Sequence, residues 1–164
     1  MKKLYYKKST IAGNGIYAQE PIKKGDFISY IKGEKIKQTA KSKTEARSME
    51  LYYGLSKHVW LNPEKTIWRY FNHSCNPNTA IIGTKKLIAL KDISKDEELT
   101  FDYSMTDGDM LWEMPCTCGS KNCRHIIKSI QRIDEKTYNR HMPFIPIYFQ
   151  RIRKRYLESA RIKK

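Results

Sequence analysis

The chain has 164 residues, 40% of them hydrophobic, which suits one domain with its own core and is too short for several. No apolar run approaches the roughly 20 residues of a membrane span, and no apolar segment follows the basic N-terminus, so neither a membrane partner nor a Sec-type secretion signal is expected. The formal net charge of +15 lies at the ends: residues 1–43 and residues 126–164 each carry 11 Lys and Arg against 3 Asp and Glu, whereas residues 44–125 carry 10 against 11.

Short strands separated by turns dominate the first hundred residues. Strands are predicted, in chain order, at 16–18, 27–31, 59–61, 66–71, 80–82, 87–90 and 98–103. Gly13 and Gly15 bracket a turn before the first strand, and residues 39–51, without Gly or Pro, are the best early helix candidate. Many short strands at close spacing indicate a compact, mainly β domain.

Residues 126–164 have a different pattern. Two helical segments are predicted around Pro143 and Pro146, and the second, residues 147–162, is basic and amphipathic. Basic ends of this kind favour a polyanion such as nucleic acid, whereas the clustered acids of the middle part favour a cationic substrate. A solvated lysine-rich surface explains the same charges without any partner.

Residues 69–78, Arg-Tyr-Phe-Asn-His-Ser-Cys-Asn-Pro-Asn, form a short polar loop after an aromatic run. Pro77 fixes φ and asparagine side chains bond the local backbone, so a tight turn rich in donors and acceptors is expected. In isolation, the segment is explained equally well as a polar surface turn. Other stretches of the chain favour a functional site over a surface turn.

The first of these stretches contains cysteines. Cys116, Cys118 and Cys123 share one compact loop, and three thiolates cannot complete a tetrahedral zinc site. Cys75, in the polar loop, is the only cysteine left, and His125 is the rival fourth ligand. Because no secretion signal is expected, metal binding is favoured over disulfides, and inert buried cysteines are the remaining explanation.

The order of the motifs resembles that of SET-domain protein-lysine methyltransferases with a post-SET zinc loop. The motifs are Gly-Asn-Gly-Ile-Tyr-Ala at 13–18, Ile-Lys-Lys-Gly at 22–25, Gly-Glu at 33–34, the polar loop at 69–78, Asp-Glu-Glu-Leu-Thr-Phe-Asp-Tyr at 96–103 and Cys-x-Cys-x4-Cys at 116–123. Each motif alone is weak, but the ordered set is specific. The tail is also similar to those of small stand-alone bacterial SET proteins.

The resemblance implies a mainly β SET fold, in which small curved sheets surround a knot-like crossing of the polar loop and the strand that ends at Tyr103. It implies a SET domain over 1–110, a post-SET zinc loop over 111–126 and a basic helical C-terminal extension over 127–164. It also implies one structural Zn²⁺, which is held by Cys75, Cys116, Cys118 and Cys123.

The activity that the resemblance implies is methyl transfer from S-adenosylmethionine to a lysine ε-amine. Tyr103 would be the catalytic residue, with its hydroxyl where sulfonium and amine meet. A tyrosine of pKa about 10 is a poor general base at neutral pH, so it would orient the methyl group and stabilise charge. The cofactor contacts implied are Asn14, Gly15, Asn72, His73 and Tyr103.

Phe101 and Tyr103 would line the channel for the substrate lysine. Phe101 stands where the family has either Phe or Tyr, and without a hydroxyl it leaves room for di- or trimethylation. Two positions depart from the family pattern: Ile31 stands where a channel tyrosine is common, and Trp68 replaces a small residue before Arg69. Arg69 itself would brace the polar loop.

The leading hypothesis is an enzyme that methylates a lysine-containing, basic protein segment, in a histone or a DNA-binding protein. It would act in the cytoplasm or nucleoid, or in the nucleus of a eukaryotic or host cell. One alternative is a non-catalytic SET-like module that binds nucleic acid or chromatin through its basic ends. A further alternative is methylation of a ribosomal or translation protein. Retention of Tyr103, Asn72, His73 and all four cysteines favours the enzyme.

Overall fold

A computed structural model of the chain describes residues 1–37, 52–56 and 58–162. Within these ranges the chain forms eleven short strands and two α-helices, and none of these helices could cross a membrane. The strands are β1 (Leu4–Lys8), β2 (Asn14–Ala18), β3 (Phe27–Tyr30), β4 (Glu34–Lys37), β5 (Tyr53–Ser56), β6 (Val59–Asn62), β7 (Thr79–Ile82), β8 (Lys86–Ala89), β9 (Glu98–Leu99), β10 (Glu113–Pro115) and β11 (Ile126–Lys128). The helix predicted at 39–51 lies outside the described residues.

The strands form four small antiparallel sheets, in the orders β1-β2-β9, β3-β8-β7, β4-β6-β5 and β10-β11. The strands predicted at 80–82 and 87–90 are confirmed and form a hairpin: β7 and β8 pair from Thr79 with Ala89 to Ile82 with Lys86. Gly83 makes this reversal possible because its φ of +63° is strained for residues with a Cβ. The prediction of a mainly β fold built from small sheets is therefore confirmed.

The strand predicted at 66–71 is wrong, since a 3-10 helix covers Ile67–Tyr70. Two hydrogen bonds at Thr66 turn the chain there: its N–H donates to the Pro63 carbonyl at 2.8 Å, and its hydroxyl accepts the Trp68 N–H at 3.3 Å. The aromatic residues that favoured a strand thus lie on a short helical turn. This turn places Trp68 and Phe71 in the interior and leaves Arg69 exposed.

The strand predicted at 98–103 is shorter than expected. After β9 the chain runs along the polar loop, where the Phe101 N–H donates to the Asn72 carbonyl at 3.2 Å and the Ser74 N–H donates to the Phe101 carbonyl at 3.1 Å. Asp102 then caps a second 3-10 helix, Tyr103–Met105, by accepting the Ser104 N–H at 3.0 Å. Tyr103 therefore begins a helical turn directly beside the polar loop.

Two helices form most of the tail, as predicted: α1 (Glu135–His141) and α2 (Ile147–Ile162). Asp134 caps α1 by accepting the Thr137 N–H at 2.7 Å. Phe149 of α2 is fully buried, and it belongs to the same hydrophobic core as residues of β2, β3, β8 and β9. The tail therefore folds back onto the strands and completes their core.

Candidate active site and metal centre

A narrow cavity of about 100 Å³ lies between the polar loop, β5 and the 3-10 helix that begins at Tyr103. Its walls are largely aromatic, with ring centroids 5.6 Å apart for Trp68 and Phe71, 4.6 Å for Phe71 and Phe101, and 4.9 Å for Phe101 and Tyr103. The full lining consists of Ile31, Tyr52, Tyr53, Pro63, Trp68, Arg69, Phe71, Ile81, Phe101, Tyr103, Thr106, Asp107 and Trp112. We call this cavity the aromatic cleft.

Tyr103 lines the aromatic cleft beside Phe71 and Phe101. The hydroxyl donates to the Phe71 carbonyl at 2.7 Å. Burial raises the pKa of Tyr103 above its ordinary value, and the charge of Glu98 adds to this effect. The phenol therefore stays protonated at neutral pH and acts as a fixed dipole and hydrogen-bond donor, not as a base.

His73 lies under Tyr103 and connects it to the cysteines. Its Nδ1 accepts the Tyr103 N–H at 3.2 Å, and its Nε2 lies 3.3 Å from Cys75 Sγ. Burial lowers the pKa of His73 to about 4, although the charge of Asp102 opposes this shift. The ring is therefore neutral at pH 7 with the proton on Nε2, because Nδ1 is already an acceptor.

Asn72 joins the polar loop to the glycine turn at residues 13–15. Its Nδ2 lies 3.0 Å from the Ala12 carbonyl, 3.0 Å from the Asn14 carbonyl and 2.8 Å from Glu98 Oε1. Because an amide has only two N–H groups, it shares them among these acceptors. Asn72 thus fixes where the backbone of Asn14 lies relative to the polar loop.

Glu98 was not predicted from the sequence. Its carboxylate accepts hydrogen bonds from Ser9 Oγ at 2.8 and 2.9 Å and from the Tyr17 hydroxyl at 3.1 Å, as well as from Asn72. A Cβ at Gly15 would collide with Glu98 Oε1. Gly15, whose expected role was close approach of a cofactor, therefore also makes room for this carboxylate. The only sequence signal was that Glu98 lies in the same motif as Tyr103.

The four cysteines of the predicted zinc site come together. Cys75 Sγ and Cys123 Sγ lie 3.8 and 3.7 Å from Cys116 Sγ, and the ligand atoms of His73, Cys75, Cys116 and Cys118 all lie within 4.8 Å of one another. A tetrahedral zinc with Zn–S bonds of about 2.3 Å separates its sulfur atoms by about 3.8 Å. The donor set and its spacing therefore fit Zn²⁺.

Two histidines compete with Cys123 for the fourth ligand position. His125, the rival proposed from the sequence, is exposed, and its carbonyl accepts the Cys116 N–H at 2.7 Å. His73 is close, but its Nε2 carries the proton and points at Cys75 Sγ as a donor. The ligand atoms within 4.8 Å of one another include His73 and not Cys123, whose Sγ lies 3.7 Å from Cys116 Sγ, so four thiolates with His73 as a supporting donor stay a prediction and His73 is the alternative fourth ligand.

Arg124, the residue after Cys123, was also missed from the sequence. Its Nε and backbone N–H lie 3.3 and 3.4 Å from Cys75 Sγ, and its guanidinium bonds Asp102 Oδ1 at 2.6 Å and Ser104 Oγ at 3.1 Å. One cation therefore joins the cysteine cluster to the 3-10 helix of Tyr103. Its position directly after the last cysteine was the only available signal.

Asp102 is almost completely buried at this junction. His141 Nε2, from α1, lies 3.1 Å from Asp102 Oδ2 but is not aligned for a hydrogen bond. Burial acts to raise the pKa of Asp102, but interactions with His141, Arg124 and His73 outweigh it and hold the pKa at about 2. Asp102 is therefore charged at neutral pH and links the tail to the site.

Asp102 is expected to contribute stability at neutral pH that disappears in acid. Because its folded pKa lies below the unfolded value of about 3.9, the contribution is complete above about pH 5 and is lost as the pH falls towards 2. Asp102→Asn leaves Arg124 without its anion and should cost about 3 kcal/mol at pH 7. Urea unfolding of wild type and Asp102→Asn from pH 7 to 3 should show the difference between their free energies of unfolding decreasing in acid. Any release of zinc in acid affects both proteins alike and so does not alter that difference. A difference that stays constant would contradict this assignment.

The two departures from the family pattern lie in the aromatic cleft. Ile31, only 4% exposed, lines the cleft, whereas its neighbour Tyr30 points outward and is 46% exposed. Trp68 is buried against Phe71 and also lines the cleft. Arg69 is exposed at the rim, where its guanidinium lies 3.3 Å from the Glu64 carbonyl. The cleft thus loses one hydroxyl at position 31 and gains an indole at position 68.

Comparisons with known proteins agree with this geometry. The SET domain family model matches residues 13–104, more than half of the chain. An H3 lysine-4 specific histone-lysine N-methyltransferase of Aspergillus oryzae is 36% identical over 140 residues, covering 75% of this chain and 11% of the relative. Human histone-lysine N-methyltransferase SETD1B is 32% identical over 138 residues, covering 75% of this chain and 7% of the relative. The chain thus spans only a small part of these relatives.

Solved structures show the same fold. The methyltransferase domain of human histone-lysine N-methyltransferase SETMAR superposes with a TM-score of 0.58 at 25% identity, covering 79% of this chain and 59% of that chain. A polycomb repressive complex 2 structure in the basal state gives 0.54 at 28% identity, with 67% and 16% covered. With the family match and the motif geometry, these similarities lead to one conclusion. The chain belongs to the SET-domain family.

Proposed function

We propose that the protein is an S-adenosylmethionine-dependent protein-lysine N-methyltransferase. The observation that carries this proposal is the protonated hydroxyl of Tyr103, a residue that lines an aromatic cleft and is fixed from below by His73 and the cysteine cluster. A site of this kind holds a long apolar stem with a basic end and presents one hydroxyl oxygen, oriented by its bond to the Phe71 carbonyl, to the tip of that stem. The names of the relatives in the same family support the same reaction.

The aromatic cleft prepares the substrate lysine for reaction. An ammonium has no lone pair, so the lysine must lose its proton, and burial between Phe71, Phe101 and Tyr103 lowers its pKa by removing water from the charged form. Aromatic faces also attract the cationic methylated product. Tyr103 then holds the reacting groups in place through its hydroxyl, and such positioning is worth several kcal/mol.

The glycine turn and the polar loop are the proposed cofactor site. S-adenosylmethionine, when bound, supplies a methyl group already activated by a sulfonium. The aromatic lining suits that cation. The side chain of Asn72 bonds the backbone of the glycine turn, so Asn72 and His73 of the polar loop lie close to Asn14 and Gly15. These residues would hold and orient the cofactor beside Tyr103, His73 through its backbone because both of its ring nitrogens are already engaged.

One Zn²⁺ held by Cys75, Cys116, Cys118 and Cys123 is the second proposed cofactor. Four thiolates leave no open coordination position, so the role of the metal is structural. It would fix the post-SET loop, residues 111–126, against the polar loop, and Trp112, near the start of the post-SET loop, lines the aromatic cleft.

The proposed substrate is a basic protein segment, in a histone or a DNA-binding protein, as the acids of the middle part favour. The substrate can be tested by incubating the protein with labelled S-adenosylmethionine and either core histones or a prokaryotic lysate. Mass spectrometry of the labelled proteins then identifies the methylated residues. We expect methyl groups on lysine, and because Phe101 carries no hydroxyl, we expect di- or trimethyl product. Methylation of another residue type would refute the proposal, and only monomethyl product with excess cofactor would refute the role of Phe101.

A second proposal concerns nucleic acid, which would place the protein in the nucleoid or a nucleus. The outer face of α2 is basic and exposed, with cations at Arg151, Lys154, Arg155 and Arg161.

Duplex DNA binding should weaken with salt, and the logarithm of the binding constant should fall with the logarithm of the salt concentration with a slope of about −0.9 for each phosphate contacted. Replacing Arg151, Lys154 and Arg155 with glutamine should flatten that slope, whereas the same charge loss at the exposed Lys65, Lys85 and Lys95 should not. Equal effects of both triple variants would reject a specific surface on α2. DNA binding without any methyl transfer would favour the non-catalytic module.

A further inference from the structure

One helix of the tail contacts both walls of the aromatic cleft. On one wall, Tyr53 of β5 packs against Phe149, with ring centroids 6.2 Å apart. The next residue, Gly54, is so close that an added Cβ would lie 3.3 Å from Phe149 Cζ and 3.4 Å from Tyr148 Cε1. The inner face of α2 therefore supports β5 where it enters the cleft.

The other wall is the segment 106–108, which follows Tyr103. The Thr106 N–H donates to the Tyr103 carbonyl at 2.9 Å, and Thr106 and Asp107 line the cleft. Gly108 rests on α2: an added Cβ would lie 2.7 Å from Ile152 Cδ1. This distance is too short for any real Cβ, and Phe149 Cε1 would lie 3.8 Å away, so segment 106–108 packs directly on Ile152 and Phe149 and a larger residue at 108 would have to displace the end of the Ile152 side chain.

The helix itself is held firmly, so it can act as a spacer between the two walls. Arg153 is buried, and its Nη1 donates to the Ile130 and Ile133 carbonyls at 2.8 and 2.9 Å. The segment 130–133, just before α1, is also bonded to segment 106–108, because the Ile130 N–H donates to the Asp107 carbonyl at 3.0 Å. These contacts tie α2 and the wall segment to each other.

We propose that Ile152, together with Phe149, is a positioning residue for methyl transfer: α2 sets the distance between Tyr53 and segment 106–108 and so the width of the cleft. Both residues lie outside the matched SET region, 13–104. Neither reaches the reacting atoms, so they act through the walls that they support. This inference rests on the proposed function, since it assigns a role in that reaction.

Gly108→Ala, with and without Ile152→Val, tests the inference, because Ile152→Val removes the Cδ1 atom that the new methyl would meet. We expect Gly108→Ala to lower kcat/KM about 10- to 100-fold and to change the mono-, di- and trimethyl proportions, since small displacements near a reacting group have effects of this size. The double variant should return to within about threefold of Ile152→Val alone. Ile93→Val, a buried substitution in the isolated bridge with Ile22, controls for a simple loss of stability.

A double variant no more active than Gly108→Ala, or a loss of activity that Ile93→Val reproduces at equal loss of thermal stability, would overturn the inference. Wild type that transfers no methyl to any substrate would count against the proposed function instead. In that case NMR decides the inference: ring signals of Tyr53 and the methyl signal of Thr106 should shift in Gly108→Ala and return in the double variant. Unshifted signals in Gly108→Ala would overturn it.

Discussion

Tyr103→Phe is expected to lower kcat for methyl transfer by roughly 100- to 1,000-fold, the usual effect of removing one fixed polar group from a reacting centre. The hydroxyl donates to the Phe71 carbonyl at 2.7 Å and is held there by a ring packed against Phe101 and His73. Phenylalanine keeps the packing, so the cofactor affinity should change little. Burst kinetics with labelled S-adenosylmethionine would separate the methyl-transfer step from binding.

Tyr53→Phe is the matched control for this prediction. Tyr53 is also buried, and its hydroxyl donates to the Thr84 carbonyl at 2.6 Å, so its removal costs a hydrogen bond of the same type. We expect Tyr53→Phe to keep kcat within about tenfold, because this hydroxyl bonds the backbone away from the polar loop. Equal losses in the two variants would mean that Tyr103 acts through packing or stability and not through its position in the reaction.

The second large effect is expected from the metal centre. Cys116 Sγ lies near the sulfur atoms of Cys75 and Cys123, so Cys116→Ser removes the most central ligand. Structural zinc contributes about 10–16 kcal/mol to the folding of small metal-dependent units, more than a domain of this size has in reserve. The variant should lose its zinc, unfold at a much lower temperature and show no measurable transfer. Atomic emission on the purified protein and a thermal melt measure both effects.

Ser120→Ala provides the control within the same loop. Its hydroxyl lies 3.2 Å from Cys118 Sγ but is not a ligand, so this variant should keep one zinc per chain. The pair Cys123→Ser and His73→Gln identifies the fourth ligand. Zinc retained in Cys123→Ser and lost in His73→Gln would reverse our choice of Cys123, and a Cys116→Ser protein with full zinc content would reject the site altogether.

Local patterns in the sequence predicted six of the eleven described strands, because alternating apolar residues and turn residues act over short distances. The strands that were not predicted are β1, β4, β5, β10 and β11. Local patterns failed at 66–71, where aromatic composition favoured a strand but the hydrogen bonds of Thr66 close a 3-10 turn instead. They also made the last strand too long, since pairing with the polar loop, not propensity, determines the path of Phe101. Tertiary contacts decide both cases.

The site was predictable where several motifs occur in one order. The structure brings Tyr103, the polar loop and the four cysteines close together, and their roles stay predictions. Glu98, Arg124 and His141 were not predicted, because each is a single charged or titratable residue whose partner lies far away in sequence: Asn72 for Glu98, and Asp102 for the other two. No local pattern separates such residues from an ordinary solvated surface.

The most direct test of this account is chemical identification of the product. Zinc-loaded wild-type protein, labelled S-adenosylmethionine and core histones would be incubated together, and the protein fraction would be hydrolysed to amino acids. The account predicts label in methylated lysine that is absent in Tyr103→Phe. Label in another amino acid, or label in methyl-lysine at equal rates in both proteins, would contradict it.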